Sequence, residues 1–521
     1  MGIKAMLVAG MIGAMAPTMA AASGPQVAIV DGRIEGKIVD HVEAYLGIPY
    51  GADTGGAHRF QAPRPPEKWT GVRAATAMGK RCPQTDHKVP HDLIKFSADP
   101  AGEDCLVLNV WTPSRAKPHR PVMVWIHGGG YGFGSANDPL YDGAGLARNE
   151  GVVVVSLNHR LNALGYLNLG IDGAPANVGQ LDIVQALRWI KANIARFGGD
   201  PANVTVFGQS GGGAKISVLL AMPTAEGLFH KAIIESGGSL KEQTPAEALA
   251  QRDKLLARLN LKTTEAAKLR DVPLADLTAA VDAVGILSFK PWIDGQTVPR
   301  QLFTPDAPKA AARIPLLIGT ARDEATSILI ANPMWPKMDE AMVRTAITPM
   351  VGAPNVDRTM AAYKARRPTD TASQIFASIF TDYGFTHSAQ VLAARQAANN
   401  GGAVWMYRTD WQTPVLGGAL RSPHGIELPF LFDALATSPE LVGATPPAAM
   451  VRMFQHSFAT FARTGVPSGG GLPSWPRYET GRRQTMVYDQ VPHLVADPDP
   501  AIRALWDGIT GEAATSPAAS Q

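Results

Sequence analysis

The chain has 521 residues, 45% of them hydrophobic and 18% charged, with 52 glycines, 41 prolines and two cysteines. That is enough apolar sequence for a large core, and it excludes a disordered or fibrous chain. A formal charge of +3 is too small to mark a nucleic-acid binder.

In chain order, Lys4, the apolar stretch 5–16 and the small residues 18–23 read as a secretory leader, assigned to residues 1–22 and cleaved near Ala20 or Ala22. The stretch is too short to span a bilayer, no cysteine follows it, and no later segment reaches some 20 consecutive apolar residues, so no membrane anchor is expected. Residues 27–39 have a hairpin pattern around Asp31-Gly32. Cys82 and Cys105 would pair in an oxidising compartment, a closure contributing roughly 3 to 4 kcal/mol on the chain-entropy model. The run 121–126 reads as a buried strand leading straight into His127-Gly128-Gly129-Gly130, and 152–157 as a β-branched strand buried on both faces. Leu181, Val184, Leu187, Ile190 and Ile194 recur at helical spacing over 180–197, which is core packing rather than a site. A further apolar run, 204–207, enters Phe207-Gly208-Gln209-Ser210-Gly211-Gly212. The helix-rich segments 244–284 and 338–400 are expected to form the wall and cap of a pocket. Between them 315–319 reads as another central strand, followed by Arg322-Asp323-Glu324. Ser422-Pro423-His424-Gly425-Ile426-Glu427 is a loop, 450–461 a helix carrying His456, and 511–521 a small polar tail expected to fray. No linker, repeat or charge block separates these motifs, so 23–510 is read as one domain. Its strand–helix alternation predicts an α/β fold with a large, mostly parallel sheet and helices on both faces.

The chemistry centres on Ser210. A serine between glycines on a strand-to-helix turn is a nucleophile elbow, which stands the hydroxyl clear of the sheet edge; Gly208 and Gly211 are expected to take the backbone angles a side chain resists. The three glycines after His127 leave backbone N–H groups open to an oxyanion, each able to contribute about 3 kcal/mol to a tetrahedral transition state. Gly129, Gly130 and Gly211 are the expected donors. The loop lacks the Lys-Ser/Thr ending of a P-loop and opens no G-x-G-x-x-G helix. A serine hydroxyl needs a base, and the base needs an acid to hold its tautomer. In hydrolases with such an elbow these follow in the order serine, acid, histidine, which removes His127 and His159. Asp323 and Glu324 both fit the acid. His424, presented by a Pro-and-Gly loop, fits the base better than the mid-helix His456.

The chain resembles the type B carboxylesterases, the group that includes the cholinesterases, within the α/β-hydrolase superfamily. The matching stretches are Tyr45-Leu46-Gly47-Ile48-Pro49-Tyr50, Glu103-Asp104-Cys105-Leu106-Val107-Leu108-Asn109-Val110-Trp111, the loop from Trp125 to Gly130, Phe197-Gly198-Gly199-Asp200-Pro201, the Ser210 elbow, Asp323-Glu324 and His424-Gly425-Ile426-Glu427. The resemblance implies an α/β-hydrolase fold with helical insertions around the pocket, Ser210 as nucleophile, Glu324 rather than Asp323 as acid, His424 as base, and Gly129, Gly130 and Gly211 as oxyanion donors. It also supports the Cys82–Cys105 disulfide. The implied protein is a secreted or periplasmic serine hydrolase of small-molecule carboxylic esters that works through an acyl-enzyme, with no metal or organic cofactor. Amidases, carbamate hydrolases and acyltransferases would use the same machinery. Catalytically dead binding relatives share the scaffold but typically lack a triad member, and here all three positions are filled.

Two departures stand out. Gln209 replaces the glutamate common before the nucleophile, which weakens attraction for cationic substrates, and the loop between Cys82 and Cys105 has Phe96 as its one aromatic ring, with no tryptophan to bind choline. Other features read as structural. His87 and His91 with Asp86 and Asp92 lie in a Pro-bearing loop rather than on a metal-binding face; Asn203-Val204-Thr205 fits a glycosylation acceptor or simply a turn. Tyr131 and Phe133 fit either the acyl side of the pocket or ordinary packing, and Ser236 fits a supporting polar group.

Overall fold

A computed structural model describes residues 24–87, 90–113, 115, 117–399 and 402–512. The expected leader lies outside the described residues, as does the expected tail from residue 513 onward. The strands in chain order are β1 (Gln26–Ile29), β2 (Gly32–Glu35), β3 (Lys37–Val39), β4 (Val42–Pro49), β5 (Val72–Ala74), β6 (Val107–Thr112), β7 (Arg120–Ile126), β8 (Val153–Leu157), β9 (Gly199–Gln209), β10 (Lys231–Glu235), β11 (Leu316–Ala321), β12 (Val404–Thr409), β13 (Gln484–Tyr488) and β14 (His493–Ala496).

Eleven of them form one sheet in the order β14-β13-β12-β11-β10-β9-β7-β8-β6-β4-β3. The middle of the sheet, β13 through β8, is parallel throughout, and antiparallel pairs occur only towards the two edges. Such a parallel centre must be covered on both faces, and the alternation within β7 shows how. Val122, Val124 and Ile126 enter one core with Ile183, Leu187 and Ile190 of the helix Val178–Asn193; Met123 and Trp125 point the other way, into a core with Phe454, Phe458 and Phe461 of the helix Ala449–Thr464. β8 is buried along its whole length, as its valine run predicts. Each such fully buried side chain contributes roughly 1.5–3 kcal/mol.

The N-terminal hairpin is shorter than expected. β1 and β2 pair around Asp31-Gly32, but β3 leaves them and pairs with β4 in the main sheet. The cause is a second tight turn at Asp40-His41, where both residues have positive φ (48° and 65°), the geometry of a two-residue turn that suits strand twist. Cys82 and Cys105 form a disulfide. Among the described residues no helix is long and apolar enough to cross a membrane. The segment 244–284 carries the helices Pro245–Arg258 and Leu274–Val284, and 338–400 carries Glu340–Val351, Val356–Arg366, Ala372–Thr381 and His387–Ala398, with a π-helical turn at Asp382–Thr386. The π-helical turn lies at the carboxyl edge of the sheet, where Phe385 packs on His424, and the last of these helices runs back to the amino edge, where Gln396 donates to Ala311 O and Ile314 O.

Candidate active site

β9 ends at Gln209, the helix Gly211–Leu219 begins one residue after Ser210, and Ser210 itself takes the strained turn, with φ 57° and ψ −123°. The strain therefore sits on the serine and not on the flanking glycines, whose φ values are not positive. Gly208 and Gly211 are small for another reason, close approach. A Cβ at Gly208 would stand 2.6 Å from Ile126 O, and one at Gly211 would stand 2.4 Å from Gly130 N. Ser210 N donates to Glu235 O at 2.7 Å, which ties the elbow to the end of β10.

The loop after β7 closes over this turn. Gly129 and Gly130 both adopt positive φ (81° and 60°), the left-handed region that favours glycine, and Gly132 and Phe133 donate back to Gly129 O. Among the described residues the N–H groups of Gly129, Gly130 and Gly211 donate to no protein acceptor. Three open donors thus meet beside the serine. The loop is anchored from beneath by Lys215, fully buried on the helix Gly211–Leu219, whose Nζ donates to His127 O at 3.0 Å. Burial pulls the Lys215 ammonium down to about 7. Next to it the rings of His127 and His159 stack with centroids 4.9 Å apart, both driven far towards the neutral form by burial and then by Lys215.

The turn after β11 and the loop after β12 bring Glu324 and His424 together. Glu324 Oε2 lies 2.6 Å from His424 Nδ1, while Glu324 Oε1 accepts from Ala321 N at 2.7 Å, so the carboxylate is fixed at both oxygens. His424 N donates to Glu324 O, and Asp323 N to Ser422 O. Asp323 faces elsewhere, with Oδ1 2.6 Å from Arg367 and Oδ2 3.0 Å from Arg322. Although burial alone would raise its carboxyl, these guanidinium groups hold it below the usual value. His456 lies on the side of its helix, 3.2 Å from Glu150. For His424, burial acts against the charged ring, but the charge and hydrogen bond of Glu324, with Glu427 behind, outweigh it and raise the ring above its ordinary value.

One expected contact is replaced by another. His424 Nε2 lies 3.1 Å from Gln209 Nε2, and Ser210 Oγ makes no hydrogen bond among the described residues. Below the histidine, Glu235, Ser236 and Glu427 are buried with side-chain oxygens that have no hydrogen-bond partner among the described residues. Burial raises both carboxyls, that of Glu427 to about 7. Ser236 is thus near the site, as expected for a supporting group.

The approach to the serine is apolar. Leu287 Cδ2 would be 2.8 Å from a Cβ at Gly130, and the Phe385 ring, on the π-helical turn, lies 4.9 Å from that of His424. Phe96 of the disulfide loop packs edge-on against Phe133 at 5.7 Å, and His87 packs on Phe133 at 4.3 Å. Tyr131 is buried with its hydroxyl on Glu242 at 2.9 Å. Asn203 is engaged with Arg463 O at 3.4 Å and with Lys231. Sequence reasoning missed Lys215, Leu287 and Phe385. A lysine inside the otherwise apolar start of the helix after Ser210 was the one visible signal among them.

Residues 23–497 match the model of the carboxylesterase family. The chain is 37% identical over 484 residues to the para-nitrobenzyl esterase of Bacillus subtilis, covering 90% of this chain and 95% of that one. It is 35% identical over 473 residues to the phenmedipham hydrolase of Pseudarthrobacter oxydans, covering 88% and 93%. Among solved structures, a Geobacillus stearothermophilus carboxylesterase superposes with a TM-score of 0.82 at 36% identity, over 92% of this chain and 99% of that one.

Proposed function

The chain belongs to the carboxylesterase family and is a serine-type carboxylic-ester hydrolase that works through an acyl-enzyme, and on that premise we propose that Ser210 is its nucleophile, His424 the base, Glu324 the orienting acid, and Gly129, Gly130 and Gly211 the oxyanion donors. The observation that carries this is the 2.6 Å pairing of Glu324 with His424 over an elbow faced by three N–H groups with no protein acceptor among the described residues. His424 takes the Ser210 proton as Oγ attacks the ester carbonyl; the three N–H groups hold the oxyanion; the imidazolium, balanced by Glu324, returns the proton to the departing alcohol. Water then repeats the sequence on the acyl group. Glu324 keeps Nδ1 protonated so that Nε2 faces the reaction, and it does not itself take the proton.

The substrates are small neutral esters. Leu287 and Phe385 offer apolar surface, and Gln209 removes the charge that would favour a cation. The similarity to a phenmedipham hydrolase extends the proposal to carbamates on the same machinery. The disulfide and the leader-like N-terminus support export to an oxidising compartment, with residues 23–510 acting as one unit. Ser210→Ala tests the assignment. It should abolish hydrolysis of nitrophenyl esters with an unchanged circular-dichroism spectrum, and full activity in the folded variant would reject it.

A further inference from the structure

We propose that Gln209 is a positioning residue that latches His424 away from Ser210 in the resting enzyme, so that the Gln209–His424 hydrogen bond must open before each acylation. The inference rests on the assignment of His424 as the base.

The hydrogen-bond roles follow from the partners. Glu324 Oε2, 2.6 Å from Nδ1, accepts the Nδ1 proton, which leaves Nε2 of the neutral ring with a single in-plane lone pair. The Gln209 amide nitrogen, 3.1 Å away, donates into that lone pair. Ser210 O–H needs the same lone pair to be activated, and one acceptor orbital cannot serve both donors well. Gln209 is only 4% exposed, and its Nε2 donates to no other group among the described residues. Gly425 packs against it, since a Cβ there would stand 3.7 Å from Gln209 Nε2. The resting contact is therefore favoured by burial as well as by geometry.

The residue type sets the direction of the effect. An amide N–H stabilises the neutral ring and opposes the imidazolium, whose Nε2–H would face it donor to donor. A carboxylate at the same place would do the reverse. Glu324 and Glu427 are the titratable groups facing the ring, Glu235 lies behind Glu427, and Phe385 covers the ring without charge. Gln209 is thus the polar contact that counteracts the carboxylates around His424.

Gln209→Met keeps the length and burial of the side chain and removes the donor. The expected result is a roughly two- to tenfold faster burst of nitrophenol from a nitrophenyl ester above the acid limb, the range a single hydrogen bond commands, with the acid-limb inflection moved to higher pH. Gln209→Glu should move the inflection further in the same direction. If Gln209 is merely structural, Gln209→Met slows the burst and leaves the inflection in place, which overturns the latch. Ser210→Ala and His424→Ala run beside it separate the two failures. If these retain esterase activity the site assignment falls; if they are dead while the folded Gln209→Met variant matches the parent in burst rate and inflection, only the latch falls.

Discussion

Lys215 gives a prediction in which the structure sets both sign and size. The ordinary lysine value is 10.5 and burial in the fold lowers it to about 7, a gap worth about 1.4 kcal/mol per unit, so holding the ammonium inside costs about 5 kcal/mol well below pH 7. Between the two values the unfolded chain binds more protons than the folded one, and the parent's stability rises with pH through this group. Lys215→Met removes the charge, keeps the apolar stem, and loses the donor to His127 O, a loss of about 1–3 kcal/mol. The variant should accordingly be more stable than the parent at pH 6 by about 2–4 kcal/mol, and that advantage should shrink by about 2 kcal/mol between pH 7 and pH 9. Urea unfolding followed by tryptophan fluorescence at pH 6, 7 and 9 measures the difference, in which other titrating groups cancel. The gain should come with a lower kcat, because the oxyanion loop loses its anchor at His127. An advantage that does not change with pH, or a variant less stable than the parent at pH 6, would refute the reasoning.

Three further outcomes follow from the site. With His424 as the proposed base, active only when neutral, and its ring held above the ordinary 6.5, kcat/KM should fall with decreasing pH through an inflection above that value, measured with a neutral nitrophenyl ester. Asp323 and Glu324 should separate cleanly: Asp323→Asn, which weakens the hold on Arg322 and Arg367 while Asp410 and Asp370 stay 3.7 Å from them, should cost about 1–3 kcal/mol of stability while the folded fraction stays active. Glu324→Gln should instead lose most of kcat with little change in melting temperature. Removing the disulfide by Cys82→Ser with Cys105→Ser should cost about 3 kcal/mol for a sequence separation of 23, seen as a lower inactivation temperature that reducing agent does not lower further.

Much of this molecule is legible in the sequence where local chemistry and position coincide. The valine run 152–155 reads as a strand covered on both faces, and the glycines around Ser210 and after His127 announce close backbone approach, though they do not reveal that the serine carries the strained angles. Asp323 and Glu324 are adjacent and equally acidic. Which of them meets the histidine is set by the way each turns at the end of β11, Asp323 to Arg367 and Arg322, Glu324 to His424, and only the family resemblance anticipates this. The contact between Gln209 and His424 joins residues 215 positions apart and has no local signature. Phe385 reaches the histidine because its helix widens into a π turn at Asp382–Thr386, which no periodicity of apolar residues encodes. The short hairpin at Asp40-His41 was likewise hidden, since neither residue is the glycine that usually marks such a turn.

The central claim is that Ser210 is the atom-level point of acyl transfer. Rapid acid quench of the enzyme with a nitrophenyl ester, followed by proteolysis and mass spectrometry, measures it directly. The account predicts an acyl group on the peptide containing Ser210, formed in step with the nitrophenol burst and absent in His424→Ala; an acyl group on another residue, or turnover with no covalent adduct and no burst, would contradict it.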